Sequence, residues 1–378
     1  MDQLPRRTSL VTQTLAILRE AIQAGQWTER LPGELELCER FQVSRITLRA
    51  ALHQLQREGW VTAGQGRRRT ITRRAVTGQT TAADRRVVLL SPLALQNLPA
   101  AALLWVDALR ANLTTVGYHL DFLSSPGCYV ARPQHALATL MQKQQPAAWV
   151  LYLSTAPLQQ WFSDHNLRCV ISGSMHPGVR LASVDIDYAA TCQHAVGRFA
   201  AKGHRHVALL LPRSEQSGDM ESRRGFSAAG AQQHPQPCET LVVAHEGTVP
   251  SICRTLSQLM QGRRPVTGIL VAKPAHVVTA VTHLLRNNVN IPETLSLISR
   301  DDDPLLEYLV PSIARYHVDA QLFARKISRL VVDLIQGGVA RRQEVRLLPA
   351  FFPGETLATA PCYNKRQVES TGAGSGPG

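Results

Sequence analysis

The feature that most constrains this chain is an alternation that begins at residue 86. "RVVLLSP" (86–92) is a short apolar run, and a helical pattern follows around 99–115. Then come "GYHLDFLSS", a helix around 134–145, "AAWVLYLS", a helix around 157–165, and "RCVISGS". Strands that alternate with helices predict a parallel sheet covered by those helices, the α/β class. After "VDID" (184–187) the alternation resumes with a helix over 188–202, "HVALLLP", a helix over 221–233 and "TLVVA". A helix over 250–261, "GILVA", a helix over 275–287 and "LSLISRD" complete the second series. Two α/β series in one chain predict a hinged two-lobe domain, with lobe crossings near 184–188 and again near 311–318. Ligands of such sheets bind beyond the C-terminal strand ends, which here face the cleft.

The chain ahead of residue 86 reads differently. "SLVTQTLAILREAIQA" (9–24) is an amphipathic helix ended by Gly25, and "LPGELELCERF" holds a second helix from about Gly33. A third runs from Ser44 through "RITLRAALHQLQRE". Leu48, Ala51, Leu52 and Leu55 recur at i, i+3, i+4 and i+7, so they make one buried stripe. Ser44 stands at the N-cap and Gly59 at the stop. At 100° per residue, Arg45, Ile46, Arg49 and His53 turn away from that stripe. "WVTAGQGRRRTITRR" then reads as two short strands around a glycine-rich turn at 64–66. Three helices followed by a basic hairpin is the order of a winged helix-turn-helix, with 41–44 as its tight turn.

Charge is the next constraint. The formal net charge is +13 over 378 residues, yet residues 1–86 alone carry fifteen arginines, no lysine and eight acidic residues. More than half the excess therefore lies in less than a quarter of the length. That asymmetry points to a polyanionic partner for the N-terminal part. A basic membrane-surface segment would need exposed bulky apolar residues along its helices, whereas these arginines sit on helices with ordinary core stripes. No apolar window approaches the roughly 18 residues of a membrane span, and "MDQLPRRTS" lacks a signal-peptide core. Seven scattered cysteines without a Cys-x-x-Cys pair suit reduced thiols in a cytoplasmic protein, with no metal and no cofactor expected.

Domain limits follow from these patterns. Residues 1–73 form the winged domain, and the unpatterned "RAVTGQTTAADRR" (74–86) is the linker. Residues 87–353 form the two-lobe domain, and 354–378, ending "STGAGSGPG", form a disordered tail.

The first part resembles the winged-helix domain of GntR-type bacterial transcription regulators. Val43, Ser44, Arg45, Thr47, Arg49, Ala51, Leu52, Glu58, Gly59, Gly64 and Gly66 match that family's pattern. Two positions depart: Gly33 stands where serine is usual, and Leu35 where the family often places a DNA-contacting arginine. The remainder is similar to the effector domain of the lactose/galactose-repressor family, a periplasmic-binding-protein-like fold. "SVDIDYAATCQHAVGRFAAKGHRHVALL", "SRRGFSAA" and "NIPETLSLISRDDDPLLEYLVPSIARYHVD" carry this likeness. Gly203-His204 reads as a helix end turning into a strand, with no catalytic role for the histidine.

The resemblance implies DNA contacts from Ser44, Arg45, Thr47 and Arg49 on the third helix, and from Gly66, Arg67 and Arg68 in the wing. Arginine can bond guanine O6 and N7 bidentately, while Thr47, nearer the flank, suits a phosphate. In the effector fold the first aspartate after "SLI", Asp301, is expected to bond ligand hydroxyls. Asp187, at the first lobe crossing, either lines the cleft or only caps a helix. Ser222 stands where the family commonly has an arginine, with Arg223 and Arg224 shifted, and Ala101 and Ala102 stand where an aromatic plate is usual. On this reading the pocket lacks both the expected ionic clamp and the expected stacking plate, so the ligand is atypical or the sensor has lost ligand binding.

The function implied is a DNA-binding transcriptional regulator, a repressor in the first instance. It works as a homodimer on a near-palindromic duplex and responds to a sugar-like metabolite. A dimerisation-only sensor and a sugar-binding protein without DNA binding are the alternatives. No nucleotide-binding, serine-hydrolase or zinc-protease signature is present, so no enzymatic activity is expected.

Overall fold

A computed structural model describes residues 10–23, 26–27, 29–57, 60–64, 67–71, 85–233, 236–261, 264–337 and 343–361. The chain divides into two compact units, 1–81 and 82–378.

The first unit contains α1 (Leu10–Gln23), α2 (Glu34–Phe41), α3 (Arg45–Arg57) and the antiparallel pair β1 (Val61–Gly64) and β2 (Arg67–Ile71). The i, i+3, i+4, i+7 stripe of α3 is fully buried and packs with Leu18 and Ile22 of α1 and Leu37 of α2. Gln42 ends α2 in the left-handed conformation, with φ of 53°, and its backbone N–H donates to the Cys38 carbonyl. That reversal sets α3 on its new course three residues later. Ser44 Oγ accepts from the Thr47 N–H at 3.2 Å, the N-cap expected there. One contact was not legible in the sequence: Arg30 forms an isolated antiparallel bridge with Thr70 of β2. The Leu31 N–H donates to the Arg69 carbonyl and the Ile71 N–H to the Glu29 carbonyl, both at 2.9 Å.

The second unit holds two six-stranded sheets. The first lobe has β3 (Arg86–Ser91), β4 (His119–Ser124), β5 (Ala148–Tyr152), β6 (Cys169–Ser172), β7 (Ala182–Ile186) and β13 (Glu344–Leu347), in the order β13-β7-β6-β5-β3-β4, all parallel. The helices α4 (Ala100–Thr115), α5 (Gln134–Lys143), α6 (Ala156–Asp164) and α11 (Ala320–Ile335) cover it.

The second lobe has β8 (His206–Pro212), β9 (Glu239–His245), β10 (Gly268–Val271), β11 (Ser296–Ser299), β12 (Ala314–His317) and β14 (Ala350–Phe352). Their order is β14-β12-β11-β10-β8-β9, and only β14 runs antiparallel. Its helices are α7 (Tyr188–Ala201), α8 (Ser217–Ala231), α9 (Val249–Gln261) and α10 (Pro274–Arg286). The central strands are apolar on both faces because helices cover both. Among the described residues no helix is long and apolar enough to cross a membrane.

Two details differ from the sequence reading. The chain crosses between lobes three times, the third time between β13 and β14. Leu348 and Pro349 separate the two strands, which belong to different sheets. The expected tail from residue 354 is also packed as far as residue 360. Leu357 is buried in the second lobe, and Thr356 Oγ1 donates to the Leu297 carbonyl at 2.7 Å while accepting from the Ala314 N–H at 2.9 Å. His204 Nε2 lies 3.1 Å from the Ala358 carbonyl, and the Ala360 N–H donates to the Lys202 carbonyl. A segment rich in Thr, Ala and Pro looks unstructured by composition, yet it is tied to β11, β12 and the turn at 202–204 by these hydrogen bonds. Residues 362–378 of that tail and 74–84 of the expected linker lie outside the described residues, and Arg86 already belongs to β3.

Candidate functional site

In the first unit the exposed face of α3 carries Arg45, Ile46, Arg49 and His53. Ile46 is 83% exposed, an apolar group facing water at the N-terminal end of the helix. Arg49 Nε donates to Glu34 Oε2 at 2.8 Å, and Arg69 Nη1 donates to Glu34 Oε1 at 2.9 Å. One carboxylate at the start of α2 therefore joins α3 to the wing strand. The hydrogen bonds from Arg49 and Arg69 hold Glu34 below the ordinary carboxylate pKa. Among the described residues Arg45 has no ionic partner. Gly66 lies outside the described residues, and of Arg67 and Arg68 only the backbone course in β2 is described.

In the second unit a cavity of about 820 Å3 opens between the lobes at the C-terminal strand ends. The first lobe contributes Trp105, Tyr152, Ser174 and Asp185, and the second Gln216, Ser217, Asp219, Lys273 and Arg300 to Asp303. The Arg300 guanidinium is 1% exposed. Its Nη1 donates to Asp219 Oδ1 and Ser222 Oγ, each at 2.8 Å, while Nε and Nη2 donate to the two oxygens of Asp301, each at 2.9 Å. It also lies 4.4 Å from the centre of the Tyr188 ring. Burial by itself would lower the Arg300 pKa, but Asp301 and Asp219 hold it well above its ordinary value, so it stays charged.

Lys273 Nζ stands 3.5 Å from Asp301 Oδ2. Asp302 faces Arg315 Nε at 2.8 Å and His317 Nδ1 at 2.6 Å. Asp185 is different: burial pushes its pKa up to about 7, against the lowering effect of hydrogen bonds from the Ser174 hydroxyl and the Ile186 N–H. A Cβ added at Gly218 would lie 2.7 Å from the Tyr188 ring, so only glycine lets that ring reach the start of α8.

Among the described residues three polar contacts cross the cleft. The Ala101 N–H donates to Asp303 Oδ2 at 3.4 Å, Gln216 Nε2 donates to the Leu153 carbonyl at 3.3 Å, and Arg346 pairs bidentately with Glu221 at 2.7 and 2.8 Å. The first two of these pairs lie in the cavity lining, and the Arg346–Glu221 pair lies outside it.

Residues 10–71 match the family model described as "Bacterial regulatory proteins, gntR family", and residues 196–357 match that of a "Periplasmic binding protein-like domain". The chain joins a gntR-family helix-turn-helix domain to a periplasmic-binding-protein-like domain. It is 24% identical over 183 residues to the HTH-type transcriptional regulator CelR of Thermobifida fusca, covering 48% of this chain and 54% of CelR. It is 22% identical over 156 residues to AscG of Escherichia coli strain K12, covering 41% and 46%. The chain thus spans about half the length of the curated relatives it matches. Among solved structures, a complex of the regulator CelR with cellobiose superposes with a TM-score of 0.64 at 19% identity, over 93% of this chain and all of that one. A LacI-family regulator from Enterococcus faecium with bound ribose superposes at 0.59 and 16%, over 72% of this chain and 99% of that one. At these identities it is the fold that is shared.

The periplasmic-binding-protein-like domain places the expected ligand residues unequally. Asp301 lines the cavity, its carboxylate already clasped by Arg300. Asp187 caps α7, accepting from the Ala190 N–H at 2.9 Å, and does not line the cavity. Ser222 is buried behind Arg300, and Arg223 stands outside the lining. Ala101 and Ala102 do line it, as small residues. The expectation of a pocket without aromatic plate or buried cation is corrected: Trp105, one turn along α4, packs against Tyr152 and Phe323, and Arg300 brings the guanidinium from the opposite chain segment. In the gntR-family domain, Ser44 caps α3 and Arg45, Thr47 and Arg49 lie in its N-terminal half, and Glu34 is the residue that sequence reasoning passed over. Its position in the first turn of a helix facing an arginine-rich face was the available signal. For Asp185 it was a carboxylate at an inward position of the apolar strand "SVDI".

Proposed function

We propose that this protein is a sequence-specific transcriptional regulator whose operator affinity is set by a sugar-like metabolite held between the lobes of its second unit. The observation that carries the reading is the lined cavity of about 820 Å3 on the same chain as a basic winged helix-turn-helix. A pocket of that volume, with aromatic walls and convergent polar groups, suits a ligand of one or two rings. Trp105 and Tyr152 offer apolar faces, and Asp219, Lys273, Gln216 and the outer lone pairs of Asp301 offer hydrogen bonds. The bound cellobiose and ribose of the similar structures support the same class.

On the DNA side, Arg45 and Arg49 read base edges in the major groove, with Ser44 and Thr47 at the flanking phosphates. Gly66, Arg67 and Arg68 meet the DNA backbone. A homodimer doubles the half-site into a near-palindrome. The protein acts as a repressor in the cytoplasm and catalyses no reaction.

The test is genome-wide footprinting of the bound protein, followed by operator binding with and without sugars connected to the neighbouring genes. A cognate sugar should shift operator affinity by a coupling of about 1–3 kcal/mol. Sequence-independent binding would overturn the regulator reading. Specific binding unmoved by any sugar would leave a regulator whose second unit serves dimerisation, a reading favoured by the occupied state of Asp301.

A further inference from the structure

The cavity lining carries six carboxylates, Asp185, Asp219, Asp301, Asp302, Asp303 and Glu307, against two full cations, Lys273 and Arg300. Five of the six are accounted for. Asp219 and Asp301 pair with Arg300, and Lys273 also faces Asp301. Arg315 faces both Asp302 and Glu307. Asp303 accepts from the backbone N–H groups of Leu305 and, across the cleft, Ala101 at the start of α4. Neither Asp303 nor Asp185 has a cation in an ion pair among the described residues, but Asp303 is half-buried and Asp185 is buried. It is 9% exposed, and among the described residues its partners are the Ser174 hydroxyl and its neighbour's N–H, with no cation in an ion pair. The charged groups of the other lobe that bear on it most, Glu221 on α8 and Asp301 beyond β11, are both acidic. A buried carboxylate without a cationic partner is costly, and the system answers by raising its proton affinity. Two further features face the same space. Ser217 Oγ is buried in the lining without a hydrogen-bond partner, and the Tyr188 and Trp105 rings wall it. Carboxylate, free hydroxyl and aromatic faces together suit a protonated amine, which takes a salt bridge on one side and ring faces on another.

We propose that the ligand of this cleft is an amino sugar or similar polyhydroxylated amine, whose ammonium group pairs with Asp185. The inference rests on the sugar-responsive reading above and specifies it. The ammonium supplies the missing cation, and its ring hydroxyls face Asp219, Ser217 and Gln216. Anionic ligands such as sugar phosphates are disfavoured by the same surplus of carboxylates.

Calorimetry of the full-length protein at neutral pH tests this with matched probes: glucose, glucosamine and N-acetylglucosamine, and cellobiose against its diamino counterpart. The expected result is that an amino form binds at least tenfold tighter than both its neutral parent and its acetylated form. Asp185→Asn should remove that preference. The wild-type ratio needs no variant, so it stands even where Asp185→Asn folds poorly. Equal or tighter binding of the neutral forms would overturn the proposal and leave the sugar-responsive regulator intact. Absence of binding by every probe, with specific operator binding retained, would overturn both the amine assignment and the sugar-sensor reading.

Discussion

Two arginines separate the chemistry of the two units. Arg49 in the winged unit is 61% exposed and held by a single carboxylate, Glu34. Arg300 in the cleft is 1% exposed and engages two carboxylates, one hydroxyl and one ring face. An exposed, singly paired guanidinium is presented but still available, because water competes with its partner and the pair contributes little to stability. A buried one with four of its five donors engaged is part of the framework, since removing it strands the anions around it. The same residue type thus serves recognition in one unit and architecture in the other.

The largest break in this contrast is Arg300→Met. It leaves Asp219 and Asp301 without their common cation, and urea unfolding of the full chain should show a loss of about 3–5 kcal/mol. A stability near that of the parent would mean that the network is not structural.

Next comes a contrast between carboxylates. Asp185 has its pKa raised to about 7 by burial, whereas Glu34 is lowered by its arginines. A carboxyl raised in the folded state contributes stability that is complete below its unfolded pKa near 4 and is lost as pH rises through about 7. Parent and Asp185→Asn should therefore diverge between those limits, the parent losing on the order of 2–4 kcal/mol relative to the variant at about 1.4 kcal/mol per pH unit. Parallel stability–pH curves would sink the point. Glu34 works in the opposite sense: its small contribution is present at neutral pH and fades as pH falls through its lowered pKa.

Arg49→Ala should weaken specific DNA binding by about 1–3 kcal/mol and relax preference at one position per half-site. The unfolding free energy should move by less than about 0.5 kcal/mol. The reverse pattern, lost stability with intact operator affinity, would make Arg49 a clasp and not a reader.

The smallest effect sharpens the comparison. Glu34→Gln frees Arg49 and Arg69 from their shared anion at a stability cost of about 1 kcal/mol or less. Competition binding should show a lower ratio of specific to non-specific affinity, with non-specific affinity equal or higher, because a negative charge has left the basic face. An unchanged ratio would show that Glu34 does not orient Arg49.

The winged unit was legible in the sequence because its logic is local. The stripe Leu48-Ala51-Leu52-Leu55, the Ser44 cap and the arginines between them lie within one helix, where a period of 3.6 residues assigns each side chain to a face. The strand–helix alternation likewise announced the parallel sheets. The cleft was not legible in the same way. Arg300 meets Ser222 and Asp219 across 78 and 81 residues, and nothing in either neighbourhood alone reveals the partner. A family position read as vacant at Ser222 is filled from another segment, and the aromatic plate missing at Ala101 and Ala102 reappears as Trp105 one turn later. Nothing in the strand "SVDI" marks out Asp185; only the fold sets it in the cavity, with no cation in an ion pair among the described residues. Periodicity decides which face a residue takes. Which charges share a buried space, and which of them lacks a counter-ion, is decided only when segments distant in the chain are brought into contact.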